Sequence, residues 1–273
     1  MPDEHTGLRV GIGSLGAIGL DLAGRLVRGV DGLELTAASA TTIARASERL
    51  KALGTTAPAV PLSELAEHAD VVVECAPAAV FREVAEPALR AGKHLVPLGV
   101  GALLTHWDLV ELAASTGARI SVPSGAILGL DGLRAAAEGG IESVTMVTRK
   151  PPAGLAGAPH LIDNGIDLGD LDRPLRVFAG SAREGARVFP ANVNVAAAVA
   201  LSGLGPDRTT LEVWADPTVT RNTHMVEVES DSARFSIKME SIPTRANPRT
   251  GRIVAQSVVA TLRRLVEPLT VGT

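Results

Sequence analysis

A doubly wound parallel α/β sheet followed by a second α+β domain is the fold this sequence predicts, on three observations. Strand-like and helix-like segments alternate from Leu8 to about Val122. A glycine-rich turn, Gly11-Ile12-Gly13-Ser14-Leu15-Gly16, joins the first strand to the first helix. Past Pro123 the rhythm changes to two-residue alternation, as in Ser143-Val144-Thr145-Met146-Val147-Thr148. Alternating strands and helices wind a parallel sheet because right-handed crossovers place helices on both faces. Period-two alternation instead marks antiparallel strands with one open face.

Taken in order, Leu8 to Ile12 reads as a short buried strand. Ile18, Leu22, Leu26 and Val30 then recur at helical spacing. A strand over 33–38, a helix over 43–53, a third strand at Ala59-Val60 and a helical turn at Ser63-Glu64-Leu65 follow. Val71-Val72-Val73-Glu74-Cys75 is the β-branched run of a central strand buried on both faces. A helix over 79–91 ending at Gly92, a strand over 94–98, a helix over 107–115 and a strand over 119–122 complete residues 1–123, the first domain. The second, 124–246, opens with a helix over 130–137. Residues 150–172, rich in Pro, Gly and Asp, read as a long loop. Residues 179–189 look helical, 192–201 is an Ala/Val-rich helix, and strands are expected over 210–215, 223–229 and 233–241. Residues 247–273 carry an amphipathic helix over 253–265, behind a capping signal at Asn247 to Thr250, expected to return to the first domain.

Composition narrows the function. Lys and Arg number 26 against 30 Asp and Glu, a net charge of −4 without a basic block, so a nucleic-acid partner is not expected. Four Phe, two Trp and no Tyr provide no base-stacking platform. One cysteine makes neither an intrachain disulfide nor a zinc cluster, and no metal is expected. The amino end lacks the pattern of a signal peptide and no apolar run approaches membrane-spanning length, which makes a cytoplasmic, membrane-free protein the expectation.

The glycine loop carries the strongest local chemistry. A strand, a Gly-x-Gly-x-x-Gly turn and a helix form the pyrophosphate cradle of a Rossmann domain. Gly11 is read as permitting the turn, Gly13 the approach of the phosphate, and Gly16 close helix packing; Gly19 is better read as a packing glycine. Ser14, Leu15, Ala17 and Ile18 complete the loop and the helix N-terminus that meets the negative charge. The bland alternative is a glycine turn without a ligand. At the end of the second strand, where an NAD enzyme carries an acid for the ribose, the chain has Ser39, Thr41 and Thr42, with Arg45 a turn later. NADP is therefore expected to be tolerated alongside NAD, unless Arg45 is only a solvated helix residue.

Further along, Glu74-Cys75-Ala76-Pro77 closes a strand at the carboxyl edge, where Cys75 and Ala76 would pass the cofactor's riboses. Cys75 reads as a buried structural thiol before a nucleophile, since no His or cation adjoins it in sequence. Gly99 would flank the nicotinamide or simply mark a turn. Ser124 and Ala126 lie where the chain crosses between domains. Asn192 and Asn194 begin an apolar helix, as ligand-binding amides or as caps. Asn222 and His224 lead a strand out of a polar loop. A neutral imidazole near pH 7 can take or give a proton, although position alone favours a surface or capping role for His224.

Gly-Ala-Ile-Gly at 16–19, Val-Glu-Cys-Ala at 73–76, Ser-Gly-Ala-Ile at 124–127, Phe-Pro-Ala-Asn-Val-Asn-Val at 189–195 and Asn-Thr-His at 222–224 together resemble the L-aspartate dehydrogenase family. The resemblance implies NAD(P)-dependent oxidation of L-aspartate to iminoaspartate, released as oxaloacetate and ammonia or fed to NAD biosynthesis. It implies Ala126 and Asn192 at the cofactor and His224 as the active-site histidine. It also implies a second domain like that of dihydrodipicolinate reductase, and assembly as a homodimer or larger. Ser124, Asn194, Asn222 and Arg245 are candidate donors to the substrate carboxylates. The rival readings are a related enzyme acting on another small amino or oxo acid, and a non-catalytic NADP sensor.

Overall fold

Strand β1 (Leu8–Ile12) runs directly into the glycine turn and helix α1 (Ala17–Val27). After them come β2 (Leu33–Ala38), α2 (Ile43–Ala52), a 3-10 segment Leu62–Glu67, β3 (Val71–Glu74), α3 (Phe81–Arg90), β4 (His94–Pro97), α4 (Val100–Thr105), α5 (Asp108–Thr116) and β5 (Arg119–Ile120). The remainder is α6 (Leu130–Ala137), β6 (Ile141–Lys150), α7 (Pro152–Leu155), α8 (Pro159–Asp163), β7 (Leu175–Ser181), α9 (Ala182–Val188), α10 (Asn194–Ser202), β8 (Thr210–Ala215), β9 (Thr223–Ser230), β10 (Arg234–Glu240) and α11 (Ile253–Arg263). This computed structural model describes residues 7–189, 193–244, 247 and 250–272.

The chain divides into two compact units. The first runs to Gly99 and adds His106–Gly125 and Val254–Val271; its sheet has the order β2-β1-β3-β4-β5, with every pairing parallel. Val71, Val72 and Val73 are all buried, as a strand covered on both faces requires. Val258 and Leu262 of α11 are fully buried in the same core as Val10, Ile12 and Leu22. Local chemistry sets the helix ends: Thr42 caps α2 by accepting from the Arg45 N–H, and Gly117 stops α5 at φ +74°.

The second unit is chiefly Val100–Thr105 and Ala126–Ile253. Its sheet has the order β10-β9-β6-β8-β7. Along β6 and β9 burial alternates, with Val144, Met146, Thr148 and Lys150 facing in opposite Val228, Val226 and His224.

Several sequence expectations are corrected. The sheet of the second unit is mixed, because β6 and β8 run parallel. Ala59 makes only an isolated bridge to Ala38, where a third strand was expected. The supposed loop over 150–172 contains α7 and α8, each begun by a proline at its first turn. The expected helix over 179–189 is strand first: β7 runs to Ser181, whose capping box with Glu184 starts α9. The glycines at 99 and 101 do not make a simple turn, since α4 begins between them and lies in the second unit beside α9 and α10.

Candidate active site

In the first unit the loop from Gly11 to Gly16 is held by backbone bonds on both sides. The Gly13 N–H donates to the Val73 carbonyl at 2.8 Å, and the Ser39 N–H donates to Ile12. A Cβ at Gly13 would lie 2.8 Å from Val84 Cγ1, and one at Gly11 would lie 3.0 Å from Leu65 Cγ. Both glycines therefore make room for neighbouring side chains, not for a ligand. Gly16 is the exposed one, and a Cβ there would meet nothing nearer than Ser14 Oγ at 3.8 Å. The close helix packing expected of Gly16 belongs to Gly19, where a Cβ would fall 1.8 Å from the Ser14 carbonyl oxygen.

The N-terminus of α1 has no side-chain cap and no acid in its first turn. Ala17 and Ile18 are half-buried there, while Leu15 is wholly buried and offers a ligand only its backbone, whose carbonyl accepts from Arg49. An open glycine before an uncapped helix end fits a pyrophosphate.

Glu74 is the residue that motif reading passed over. Its carboxylate is fully buried; Oε1 accepts from the Ala76 N–H and Oε2 from the Gly99 N–H, both at 2.8 Å. It thus joins the carboxyl ends of β3 and β4 and occupies the N–H groups of two residues expected to meet the cofactor. Burial raises its pKa to about 7, opposed by the backbone donors Gly99, Ala76 and Leu98. The only advance signal was an acid ending an otherwise apolar strand. Cys75 donates to the Ser14 carbonyl at 3.0 Å, and burial, aided by Glu74, pushes its pKa up to about 12. It is a packed thiol.

At the end of β2, Ser39 is buried and Thr41 and Thr42 are exposed. These three residues, with Pro61, Arg82 and Arg90, line a cavity of about 790 Å³ that has no acid on the β2 side. Arg82 pairs with Glu86 and Asp108, and Arg90 with Glu86. Arg45 is exposed on α2.

In the second unit, β6 and β9 place His224 directly across from Thr148, with Nδ1 3.1 Å from the Thr148 hydroxyl. Both are buried, as is Lys150 two residues along the same face of β6. Burial first, and the Lys150 charge second, lower the His224 pKa to about 3. The imidazole is neutral through the physiological range, and position alone had misread it as a surface group. Asn222 is half-buried just before β9. Asn194 Oδ1 accepts from the Gly101 N–H at 3.0 Å, so this amide ties α4 to α10. Ser124 and Ala126 are half-buried around Gly125, whose φ is +63°; the Gly125 N–H donates to Ser257 Oγ of α11. Asn192 and Arg245 lie outside the described residues.

Comparison with known proteins shows the family to which the chain belongs. Residues 131–265 match the family model described as aspartate dehydrogenase, C-terminal, and residues 14–123 match that described as homoserine dehydrogenase, NAD binding domain. The chain is 54% identical over 267 residues to L-aspartate dehydrogenase 3 of Bordetella bronchiseptica, covering 97% of this chain and 98% of that one. It is 51% identical to the L-aspartate dehydrogenase of Bradyrhizobium diazoefficiens, covering 97% and 94%. The chain belongs to the aspartate dehydrogenase family. Family membership makes it an oxidoreductase with a pyridine nucleotide cofactor. The crystal structure of aspartate dehydrogenase from Thermotoga maritima shares the fold, with a TM-score of 0.72 at 23% identity, covering 97% of this chain and 99% of that one.

The buried carboxyl of Glu74 makes folding pH-dependent. Its pKa is raised from 4.5 to about 7, so the folded state binds the extra proton and stability falls as pH rises between those values. Above about 7 the loss is complete, at most about 3 kcal/mol. Urea titrations at pH 5 and pH 8 should show the stability difference between wild type and Glu74→Gln shifting in the variant's favour at pH 8. A difference that does not change with pH would remove the assignment.

Proposed function

We propose that this chain oxidises L-aspartate with NAD or NADP to iminoaspartate, which water converts to oxaloacetate and ammonia. The observation that carries the reading is His224, a buried neutral imidazole held through Nδ1 by Thr148, in a chain of this family. With the Thr148 hydroxyl accepting from Nδ1–H, the Nε2 lone pair is left to take a proton from the substrate's ammonium. The amine so formed pushes hydride from Cα, and the nicotinamide supplies the hydride acceptor. Once Nε2 has passed its proton to solvent, it can take another from the water that adds to the imine carbon. Burial first and the Lys150 charge second hold the pKa at about 3 without substrate; bound carboxylates raise its basicity. His224→Ala should lower kcat/KM for L-aspartate by about 100- to 10,000-fold, followed at 340 nm, with the dissociation constant for NADPH unchanged. An unaltered kcat/KM would sink the role of His224.

The uncapped N-terminus of α1 and open Gly16 would hold the pyrophosphate, with Ser14 and the first-turn residues Ala17 and Ile18 around it. Ser39, Thr41 and Thr42, with no acid among them, support acceptance of a 2′-phosphate. Thr41→Asp places a charge against that phosphate, and its KM for NADP should rise about tenfold or more, the effect of some 1.4 kcal/mol, while KM for NAD stays nearly constant. Equal changes for both dinucleotides would count against this assignment.

Assembly as a homodimer or larger belongs to the same reading, supported by the outward face of the second sheet, where Val147 pairs across strands with Met225. Light scattering that finds only monomers would exclude it.

A further inference from the structure

The strand order β2-β1-β3-β4-β5 reverses the path of the chain between β1 and β3, and ligands of open parallel sheets lie outside the carboxyl ends at such a point. With the pyrophosphate at Gly16 and α1, beyond β1, the adenosine half of a dinucleotide extends over β2 and the nicotinamide half over β3 and β4. The side chain that ends β3 is Glu74, a buried acid that the proposed reaction does not use. Its two oxygens take the N–H groups of Ala76, in the loop after β3, and of Gly99, in the loop after β4. Gly99 is fitted to this contact: a Cβ there would lie 2.9 Å from Glu74 Oε2 and 2.9 Å from Phe81 Cδ2.

The geometry suits the ionised carboxyl. A carboxylate accepts at both oxygens, whereas protonation turns one of them into a hydroxyl that itself needs an acceptor. Both groups that meet these oxygens are N–H donors. Among the described residues no cation compensates the charge. β1 ends beside β3 in Gly11 and Ile12, and β4 in Val96 and Pro97. α3 buries Phe81 and Val84; its Arg82, Glu83 and Arg90 are exposed, and Glu86 is paired with both arginines. Glu64 and Glu67 of the 3-10 segment are exposed, His106 stacks on the Phe81 ring at 6.2 Å, and Cys75 stays a neutral thiol. Burial and backbone donors thus govern the ionisation of Glu74, with its pKa raised to about 7.

We propose that ionised Glu74 is the positioning residue for the nicotinamide half of the cofactor, so that dinucleotide binding releases its proton to solvent. The inference rests on the reading that places the pyrophosphate at Gly16. It sets cofactor affinity against folding: the protonated carboxyl favours the folded state, while the ionised one fixes the Ala76 and Gly99 loops as the cofactor needs them. A purely structural carboxyl would move stability and affinity together.

NADH, free of the titrating 2′-phosphate of NADPH, is the probe, and ADP reports on the adenosine half alone. In the wild-type full chain the dissociation constant for NADH, followed by fluorescence, should fall by up to about tenfold from pH 6 to pH 8 as the competent fraction rises, while Tm falls. Glu74→Gln turns an N–H2 toward one of the two donors. Its NADH affinity should be about tenfold weaker at pH 8 and flat with pH, with ADP affinity at pH 8 unchanged. Should the variant fail to fold, calorimetry of the wild type at pH 7 in buffers of different ionisation enthalpy decides, with about half a proton released per NADH bound. Parallel pH profiles in wild type and variant, equal losses for ADP and NADH, or no proton release would overturn the assignment. NADH binding with the expected profiles but no turnover of L-aspartate would overturn the proposed reaction and leave the role of Glu74 standing.

Discussion

The pairing of β6 with β9 is the constraint on which the chemistry of the second unit depends. An antiparallel ladder fixes which side chains stand opposite each other, and a slip of one residue would turn every one of them to the other face. Here the register is enforced by apolar pairs: Val144 opposite Val228 and Met146 opposite Val226 are all buried. Those four side chains hold the strands in the one alignment that puts Thr148 against His224. The polar groups at the strand ends are thus positioned by hydrophobic burial several residues away. Their own interactions do not set the register, since a desolvated imidazole opposes folding.

The first unit solves a similar problem by a different device. Parallel strands leave their carboxyl ends as separate loops, and something must keep adjacent loops in register. Glu74 does so with one side chain, receiving an N–H from the β3 loop and another from the β4 loop. Three backbone donors offset only part of the desolvation cost, which is why the carboxyl remains hard to ionise. Strand ends in this unit are therefore tied by a group that opposes burial, so the alignment of the two loops comes at a cost in stability.

How much of this was legible in the sequence follows from the range of each interaction. The β1–glycine–α1 unit was readable because a buried strand, a turn and an apolar stripe are all encoded within 20 residues. The loop's existence was evident, but the separate tasks of its glycines were not. Gly11 answers to Leu65 and Gly13 to Val84, contacts 54 and 71 positions away in the chain. β7 was missed because Arg176 and exposed positions blur its alternation, though Ser181 and Glu184 spelled out the capping box that ends it. α4 was missed because Gly99 before it and Gly101 within it resemble a turn, and six residues show too little periodicity. His224 needed the family resemblance, since an isolated histidine before a strand has no local signature of burial. Lys150 had no signal at all, and only the ladder brings it to the face of His224.

The depressed pKa of His224 follows from the same burial that fixes the register. Taken alone, an imidazole that resists protonation down to about pH 3 is a poor proton acceptor, and burial beside Lys150 looks self-defeating. Desolvation is the larger cause and the Lys150 charge the smaller, so both keep the imidazole neutral while the Thr148 hydroxyl fixes its Nδ1 side. The basicity of this group is therefore governed first by how dry its surroundings are and only second by the charge beside it.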